Sequence, residues 1–224
     1  MRCLRGACGV LTLAASLAAI LASGLSAQAR WSGGPVVQLA MPTGTMADYF
    51  GNGTGFGLTL SRPTGPVMLR IDAVWTRFGE RTVTRQLNGA GPPIGITSSG
   101  NFLTALAGPE GELRLGGWRG GLAAQGGLGY VQSTGSTILP GDPAQVQRSN
   151  TYSTFTWAVS AGASLAHRVG SGRLSLAYSV VQIGKSDFLR EYNLPIGVIS
   201  GIYLNPTPYP PLYTTASLAL TFPL

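Results

Sequence analysis

The sequence has little of the chemistry that enzymes and metal proteins use. Its two cysteines, Cys3 and Cys8, lie near the amino terminus, and His167 is its one histidine. We expect both cysteines to leave with the leader described below, which excludes a disulfide framework, a thiolate nucleophile and a cysteine metal site from the remaining chain. Nucleophile–base chemistry then has almost nothing to work with, and no metal-ligand spacing occurs. We therefore predict a protein that is not an enzyme and has no cofactor or metal.

Strong charge and long hydrophobic runs are absent as well. Without the two arginines of the leader, the 15 basic residues fall to 13, against 8 acidic ones. The arginines are dispersed singly, so the sequence gives no indication of nucleic-acid binding. Beyond the leader there is no apolar run of about 18 residues, so we expect no transmembrane helix.

The first 29 residues have the pattern of an export signal. Arg2 and Arg5 form a basic start, a small apolar stretch follows, and Ala27-Gln28-Ala29 matches an A-x-A cleavage site. An uncleaved membrane anchor is the alternative, but the stretch is slightly short for a span and ends in a processing site. We predict a cleaved signal peptide over residues 1–29 and a single mature domain over 30–224.

What the mature chain does have is strand-like alternation broken by glycine and proline. We find no helical periodicity, and the segments with period-two alternation come at fairly regular intervals. Pro109 falls inside one of them, where it predicts a bulge or a local break. The predicted strands are about 35–42, 54–62, 67–79, 101–115, 121–133, 151–166, 172–185 and 212–223.

The connections between these strands alternate strictly between short and long. Short, turn-like connections lie at 62–66, 116–120 and 167–171, and long loops lie at about 43–53, 80–100, 134–150 and 186–211. An up-and-down barrel in an outer membrane has short periplasmic turns at one end and longer loops at the other. A lipocalin or a β-sandwich has no reason to keep that alternation.

The two faces of each strand indicate which side points outward. One face is rich in leucine, and the other is built of Ser, Thr, Gly and Ala, which suit the narrow interior of an eight-stranded barrel. Lipid cannot hydrogen-bond the backbone, so such a sheet must close on itself. We predict that the following residues face lipid: Leu69, Ile71, Trp75, Trp157, Leu174, Leu176, Leu218 and Leu220.

Charged residues gather in the predicted lumen near the short-turn end. They are Arg70 and Asp72 on the third strand, and Glu110, Glu112 and Arg114 on the fourth. If residues 79 and 101 lie roughly opposite each other, Arg70 pairs across from Glu112, with Asp72 and Arg114 as diagonal neighbours. An unpaired buried charge is very costly, so these groups must satisfy one another. We interpret them as a structural plug, with a gate or an ion path as the alternative.

In its leader, its eight alternating strands and its loop asymmetry, the chain resembles the small outer-membrane β-barrel proteins of Gram-negative-type bacteria, the OmpA/OmpX/OmpW-like group. The final amphipathic strand, "ASLALTFPL", adds to that resemblance. The resemblance implies an all-β, eight-stranded antiparallel up-and-down transmembrane barrel in the bacterial outer membrane, and we expect a monomer among lipid and lipopolysaccharide. It also implies that the barrel-assembly machinery reads the last strand, where Phe222 is followed by Pro223 and Leu224.

The long loops are expected to carry any specific function. The longest, 186–211, contains four possible contact residues: Phe188, Tyr192, Tyr203 and Tyr209. Three functions are consistent with the sequence. The first is a structural or adhesive surface protein, the second is a passage or binding protein for small hydrophobic molecules as in the OmpW-like proteins, and the third is a soluble periplasmic lipocalin-like binder.

Overall fold

A computed structural model describes residues 31–65, 67–86, 93–138, 148–191 and 204–224 of the chain. The predicted signal peptide at 1–29 lies outside the described residues, as do Tyr192 and Tyr203. The elements in chain order are β1 Ser32–Pro42, α1 Met46–Tyr49, β2 Gly53–Pro63, β3 Val67–Gln86, β4 Pro93–Leu115, β5 Trp118–Ile138, β6 Arg148–Val169, β7 Gly172–Ile183, β8 Ser186–Glu191, β9 Leu204–Tyr209 and β10 Leu212–Pro223.

Eight of these strands close into one barrel. They follow the order β1-β10-β7-β6-β5-β4-β3-β2, and each neighbouring pair is antiparallel. The strand β10 closes the barrel against β1, with Val37 opposite Leu218. The predicted eight-stranded antiparallel up-and-down barrel is confirmed.

Three tight turns join the strands at one end of the barrel. Each has a glycine with positive φ, namely Gly65 at 90°, Gly116 at 63° and Gly170 at 59°. Side chains with a Cβ rarely adopt this backbone conformation, so glycine allows the chain to reverse within a few residues. The described chain also starts and ends here, where the Leu224 amide donates to the carbonyl oxygen of Trp31 at 2.8 Å. We call this the turn end of the barrel.

At the opposite end, four strands continue well beyond the others. The β3–β4 ladder runs on to Gln86 opposite Pro93, and the β5–β6 ladder to Thr137 opposite Arg148. The predicted long loops at 80–100 and 134–150 are therefore wrong in extent, because residues 80–86, 93–100, 134–138 and 148–150 are strand. The paired parts of these four strands, β3 to β6, continue past the level of Phe78 on the side away from the turn end. We call them the sheet extension.

The two remaining long connections contain structure of their own. The loop at 43–53 includes the one-turn helix α1, and the connection at 186–211 includes the β8–β9 hairpin, a separate two-stranded sheet. We predicted eight strands and no helix, so the helix α1 and the strands β8 and β9 were not predicted. Among the described residues, no helix is long and apolar enough to cross a membrane.

Pro109 produces the predicted local break in strand pairing, but no bulge. Its register with β3 is regular, with Leu69 opposite, and the β4–β5 pairing has the same register at Ala107 and Glu110 on either side of it. The β4–β5 pairing is missing only at Gly108 and Pro109, as expected where proline has no N–H to donate. The register shift in this region lies instead in β3, between Phe78 and Arg81.

Candidate functional site

The outside of the barrel is apolar. Of the predicted lipid-facing residues, Leu176 is 58% exposed and Trp157 is 51% exposed, and Leu174, Leu218, Leu220 and Trp75 are exposed as well. Leu69 and Ile71 have the same parity on β3 and intermediate exposure. Every barrel strand has large apolar side chains exposed on its outer face. In water this would be unfavourable, because the apolar area would stay in contact with solvent.

This apolar surface ends at a sharp border below the sheet extension. One row of residues paired across β2–β6 is apolar and mostly aromatic: Phe56, Trp75, Leu103, Tyr130 and Phe155. The row two residues further along each strand is polar: Thr54, Arg77, Asn101, Gln132 and Ser153. A belt of aromatic side chains next to polar ones is the arrangement expected at the edge of a bilayer.

Inside the barrel, Arg70 lies between two carboxylates. Its Nε is 2.9 Å from Oδ2 of Asp72, and its Nη1 is 3.6 Å from Oε2 of Glu110. The three side chains have relative exposures of 13%, 13% and 4%, so the charges are held away from bulk solvent. Burial makes each carboxylate depend on its hydrogen bonds and on the guanidinium.

Polar side chains of β5 and β6 complete this arrangement. Gln125 donates from Nε2 to Oδ2 of Asp72 at 2.9 Å and accepts from Oγ of Ser160 at 3.0 Å, and Ser164 donates to Oε1 of Glu110 at 2.7 Å. The resulting charge network consists of Arg70, Asp72, Glu110, Gln125, Ser160 and Ser164. We did not predict Gln125, Ser160 or Ser164 as site residues. Alternation along β6 nevertheless places Ser160 and Ser164 on the lumen face.

The predicted partner of Arg70 is wrong. Arg70 lies opposite Gly108, so the register is displaced along β4 and brings Glu110 within reach instead of Glu112. Residue 101 pairs with Arg77 and not with residue 79, in the same register as Phe78 opposite Gly100. Arg114 does not join the charge network either, because it is exposed and lies opposite Arg119.

Glu112 belongs to a second group of charges, closer to the turn end. Its Oε2 is 3.3 Å from Nη1 of Arg119, and its Oε1 contacts Nη2 of Arg173. Together with Arg168, these two arginines line an open cavity of about 280 Å³ at the mouth of the barrel. His167 is at the same end, where its ring packs on Trp118 and its Nδ1 is 3.0 Å from the carbonyl oxygen of Gly117.

The other end of the lumen is closed by an aromatic seal, which we define as Met46, Phe50, Phe78, Phe102 and Tyr213. All of these side chains are at most 2% exposed. The rings of Phe78 and Phe102 are 4.8 Å apart, and those of Phe78 and Tyr213 are 5.3 Å apart, in edge-to-face contacts. The loop that contains α1 folds inward and delivers Met46 and Phe50 to this cluster, which the sequence signalled only as two apolar residues four positions apart.

Little space remains between the aromatic seal and the charge network. A cavity of about 40 Å³ lies there, lined by Gln38, Arg70, Asp72 and Tyr213 among others. That volume has room for about three water molecules. Among the described residues, no group of three or more His, Cys, Asp or Glu side chains could hold a metal ion.

The remaining predicted site residues that the structure describes are Phe222, Phe188 and Tyr209. Phe222 is 42% exposed on β10, beside Gly172 of β7. Phe188 and Tyr209 lie in the β8–β9 hairpin, opposite Thr207 and Ser186 respectively, and only their backbone positions are described.

Comparison with known proteins identifies the fold. No protein-family model and no curated protein matches the sequence. A solved major outer membrane protein of Thermus thermophilus is 14% identical with a TM-score of 0.50, over 88% of this chain and 100% of the other. Neisserial surface protein A is 12% identical with a TM-score of 0.46, and the Ail protein of Yersinia pestis is 13% identical with a TM-score of 0.41; both matches cover 87% of this chain and 97% of theirs. The chain has the fold of the small outer-membrane β-barrels.

Proposed function

We propose that the protein is a non-enzymatic outer-membrane barrel with a closed lumen that acts through the surface it presents above the membrane, in a structural or adhesive role. The observation that carries the proposal is the double closure of the lumen. The aromatic seal and the charge network follow one another along the barrel axis, with a cavity of about 40 Å³ between them.

The membrane location is supported by the outer surface. Exposed residues such as Phe155 at 78% and Leu128 at 67% need an apolar surrounding. The border between the Trp75 row and the Arg77 row then marks the outer edge of the bilayer, with the sheet extension outside the cell and the turn end in the periplasm. A soluble lipocalin-like binder would need a polar outer face in place of these leucines.

The sheet extension supports a role at the cell surface. Above Phe78, the four strands β3–β6 remain paired although they no longer belong to the closed barrel. Thr82 and Thr97 hydrogen-bond across β3 and β4 at 2.7 Å, and Thr134 and Thr151 across β5 and β6 at 3.1 Å. Such polar cross-strand contacts keep an ordered surface in water, where a partner could bind it.

The alternative of a passage for small hydrophobic molecules has less support. A passage would require a continuous apolar path, whereas the described lumen residues interpose Arg70, Asp72 and Glu110 below the aromatic seal. A hydrophobic molecule that crossed this layer would desolvate three charges without replacing their hydrogen bonds, which is costly.

The location is tested by cell fractionation. We expect the protein to sediment with outer membranes, to start at Arg30 and to require detergent for extraction. Recovery as a soluble periplasmic protein would contradict the membrane location.

The surface role is tested by shortening the sheet extension. In one variant, residues 82–97 are replaced by Asn-Gly, a turn that suits the paired ends Arg81 and Ser98. Heat-modifiable gel mobility checks that the barrel still folds. Cells that carry this variant should adhere less to host or abiotic surfaces than cells with the unmodified protein, and equal adhesion would exclude the β3–β4 part of the extension as the active surface.

A further inference from the structure

The turn end of the barrel carries a cluster of arginines that the proposed function does not use. We define the arginine rim as Arg114, Arg119, Arg168 and Arg173. Arg114 lies directly opposite Arg119 across β4 and β5, and Arg168 lies directly opposite Arg173 across β6 and β7. Like charges directly opposite each other on neighbouring strands are destabilising, so a bound anion would relieve this repulsion.

Among the described residues, too few carboxylates contact the arginine rim to balance its positive charge. Glu112 is the carboxylate that contacts this rim, through Arg119 and Arg173. Arg168 donates from Nε to the carbonyl oxygen of Gly170 at 3.3 Å, and among the described residues it forms no ion pair. Four guanidinium groups thus share one carboxylate, which leaves a net positive charge at a concave surface.

The shape of this surface fits a small anion. The 280 Å³ cavity is lined by Arg119, Arg168 and Arg173, and hydroxyl groups including those of Ser61 and Thr221 line the same space. The two carboxylate oxygens of Glu112 contact Arg119 and Arg173 and reach no other arginine of the rim among the described residues. A phosphate group has more oxygens, each able to accept a charge-assisted hydrogen bond from a guanidinium.

We propose that the arginine rim is a binding site for a phosphate group that enters from the periplasmic side of the barrel. Glu112 holds Arg119 and Arg173 in place and limits the affinity for the anion. The phosphate group comes from the headgroup of an inner-leaflet phospholipid or from a soluble phosphate, and the experiment below distinguishes these sources.

The test uses the protein isolated from membranes in a non-ionic detergent. Its thermal unfolding is followed by heat-modifiable gel mobility over a series of inorganic phosphate concentrations, with chloride keeping the ionic strength constant. We expect a saturable rise in the unfolding midpoint that chloride alone does not produce. A rise that follows ionic strength and not phosphate would overturn the proposal.

Two variants of the rim give opposite expectations. Arg168→Gln should weaken the apparent phosphate affinity about tenfold, as expected for the loss of one charge-assisted contact. Glu112→Gln should lower stability without phosphate and strengthen phosphate binding roughly three- to tenfold, because a nearby negative charge is removed. Arg77→Gln, at the polar border of the opposite end, is the matched control and should bind phosphate like the unmodified protein.

Native mass spectrometry of the protein in nanodiscs that contain phosphatidylglycerol identifies the source of the phosphate. Retention of this lipid by the unmodified protein but not by Arg168→Gln identifies the headgroup as ligand. Phosphate-dependent stabilisation without lipid retention identifies a soluble phosphate. Equal phosphate affinity in Arg168→Gln and Arg77→Gln, or weaker binding in Glu112→Gln, would overturn the site.

Discussion

Arg70 and Glu110 meet across the β3–β4 pair, with Nη1 of the arginine 3.6 Å from Oε2 of the glutamate. They are diagonal neighbours, since Arg70 lies opposite Gly108 and Glu110 lies opposite Met68. The contact bridges two strands inside a lumen where water is scarce, so each charge depends on the other for its compensation.

Removing Arg70 should therefore destabilise the barrel. We expect Arg70→Ala to lower the free energy of unfolding by about 3 kcal/mol, because two buried carboxylates lose their counter-charge. Part of this loss should be absent when Glu110→Ala is already present, with a coupling energy on the order of 1–2 kcal/mol in a double-mutant cycle. Reversible urea unfolding in lipid vesicles measures both quantities.

The same cycle with Glu112 is the control. Glu112 contacts Arg119 and Arg173 and not Arg70, so the losses from Arg70→Ala and Glu112→Ala should add to within about 0.5 kcal/mol. Strong coupling between Arg70 and Glu112 would show that the β3–β4 register differs from the one described.

The charges of the network were predictable from the sequence, but their pairing was not. Strict period-two alternation places Arg70, Asp72, Glu110 and Glu112 on the lumen face whatever the register. Which carboxylate reaches Arg70 depends on how far β3 and β4 slide past each other. Registers that differ by two residues keep the same faces inward, so alternation alone does not select one of them.

A glycine makes room for the Glu110 carboxylate. A Cβ at Gly121 would lie 2.6 Å from Oε1 of Glu110 and would also overlap Oγ of Ser164. We expect Gly121→Ala to cost about 1–3 kcal/mol in unfolding free energy, since Glu110 is too tightly held to move away.

Gly126 on the same strand is the matched control for this substitution. It points outward, and the nearest atom to an added Cβ is Cγ1 of Val159 at 4.0 Å. Gly126→Ala should change stability by less than about 0.5 kcal/mol. If urea unfolding gives the same loss for both variants, the effect comes from the backbone of β5 and not from the charge network.

The apolar outside of the barrel gives a prediction about lipid contact. Leu176 is 58% exposed and lies opposite Leu165 and Leu218 on its two neighbouring strands. Leu176→Arg should cost about 2–4 kcal/mol in a bilayer if the position is near the midplane. Ser175→Asn, on the lumen face beside a cavity of about 20 Å³, should be milder. Equal tolerance of both changes would refute the assigned faces.

The aromatic seal is the part of the lumen that the sequence signalled least. Alternation within the predicted strands 67–79 and 101–115 places Phe78 and Phe102 on the lumen face, but it does not show that the two rings meet there. Met46 and Phe50 come from a connection whose own fold follows from local contacts, such as the Phe50 amide donating to the Met46 carbonyl oxygen at 3.1 Å. Contacts of this kind leave no periodic pattern.

The proposed closed lumen has two closures in series, which gives a test of it. A path for ions must pass both the aromatic seal and the charge network, so opening one of them leaves the other in place. Phe78→Ser removes the ring at the centre of the seal, between Phe102 and Tyr213, and Arg70→Ser removes the centre of the network. In planar bilayers we expect no steady current from the unmodified protein or from either single variant, and a measurable current from the double variant.

Heat-modifiable mobility confirms that each variant remains a folded barrel. Steady current through the unmodified protein would show that the lumen is open, and current through Phe78→Ser alone would show that the charge network does not block ions. A double variant that folds and stays silent would place a further barrier in the lumen, beyond the two closures described.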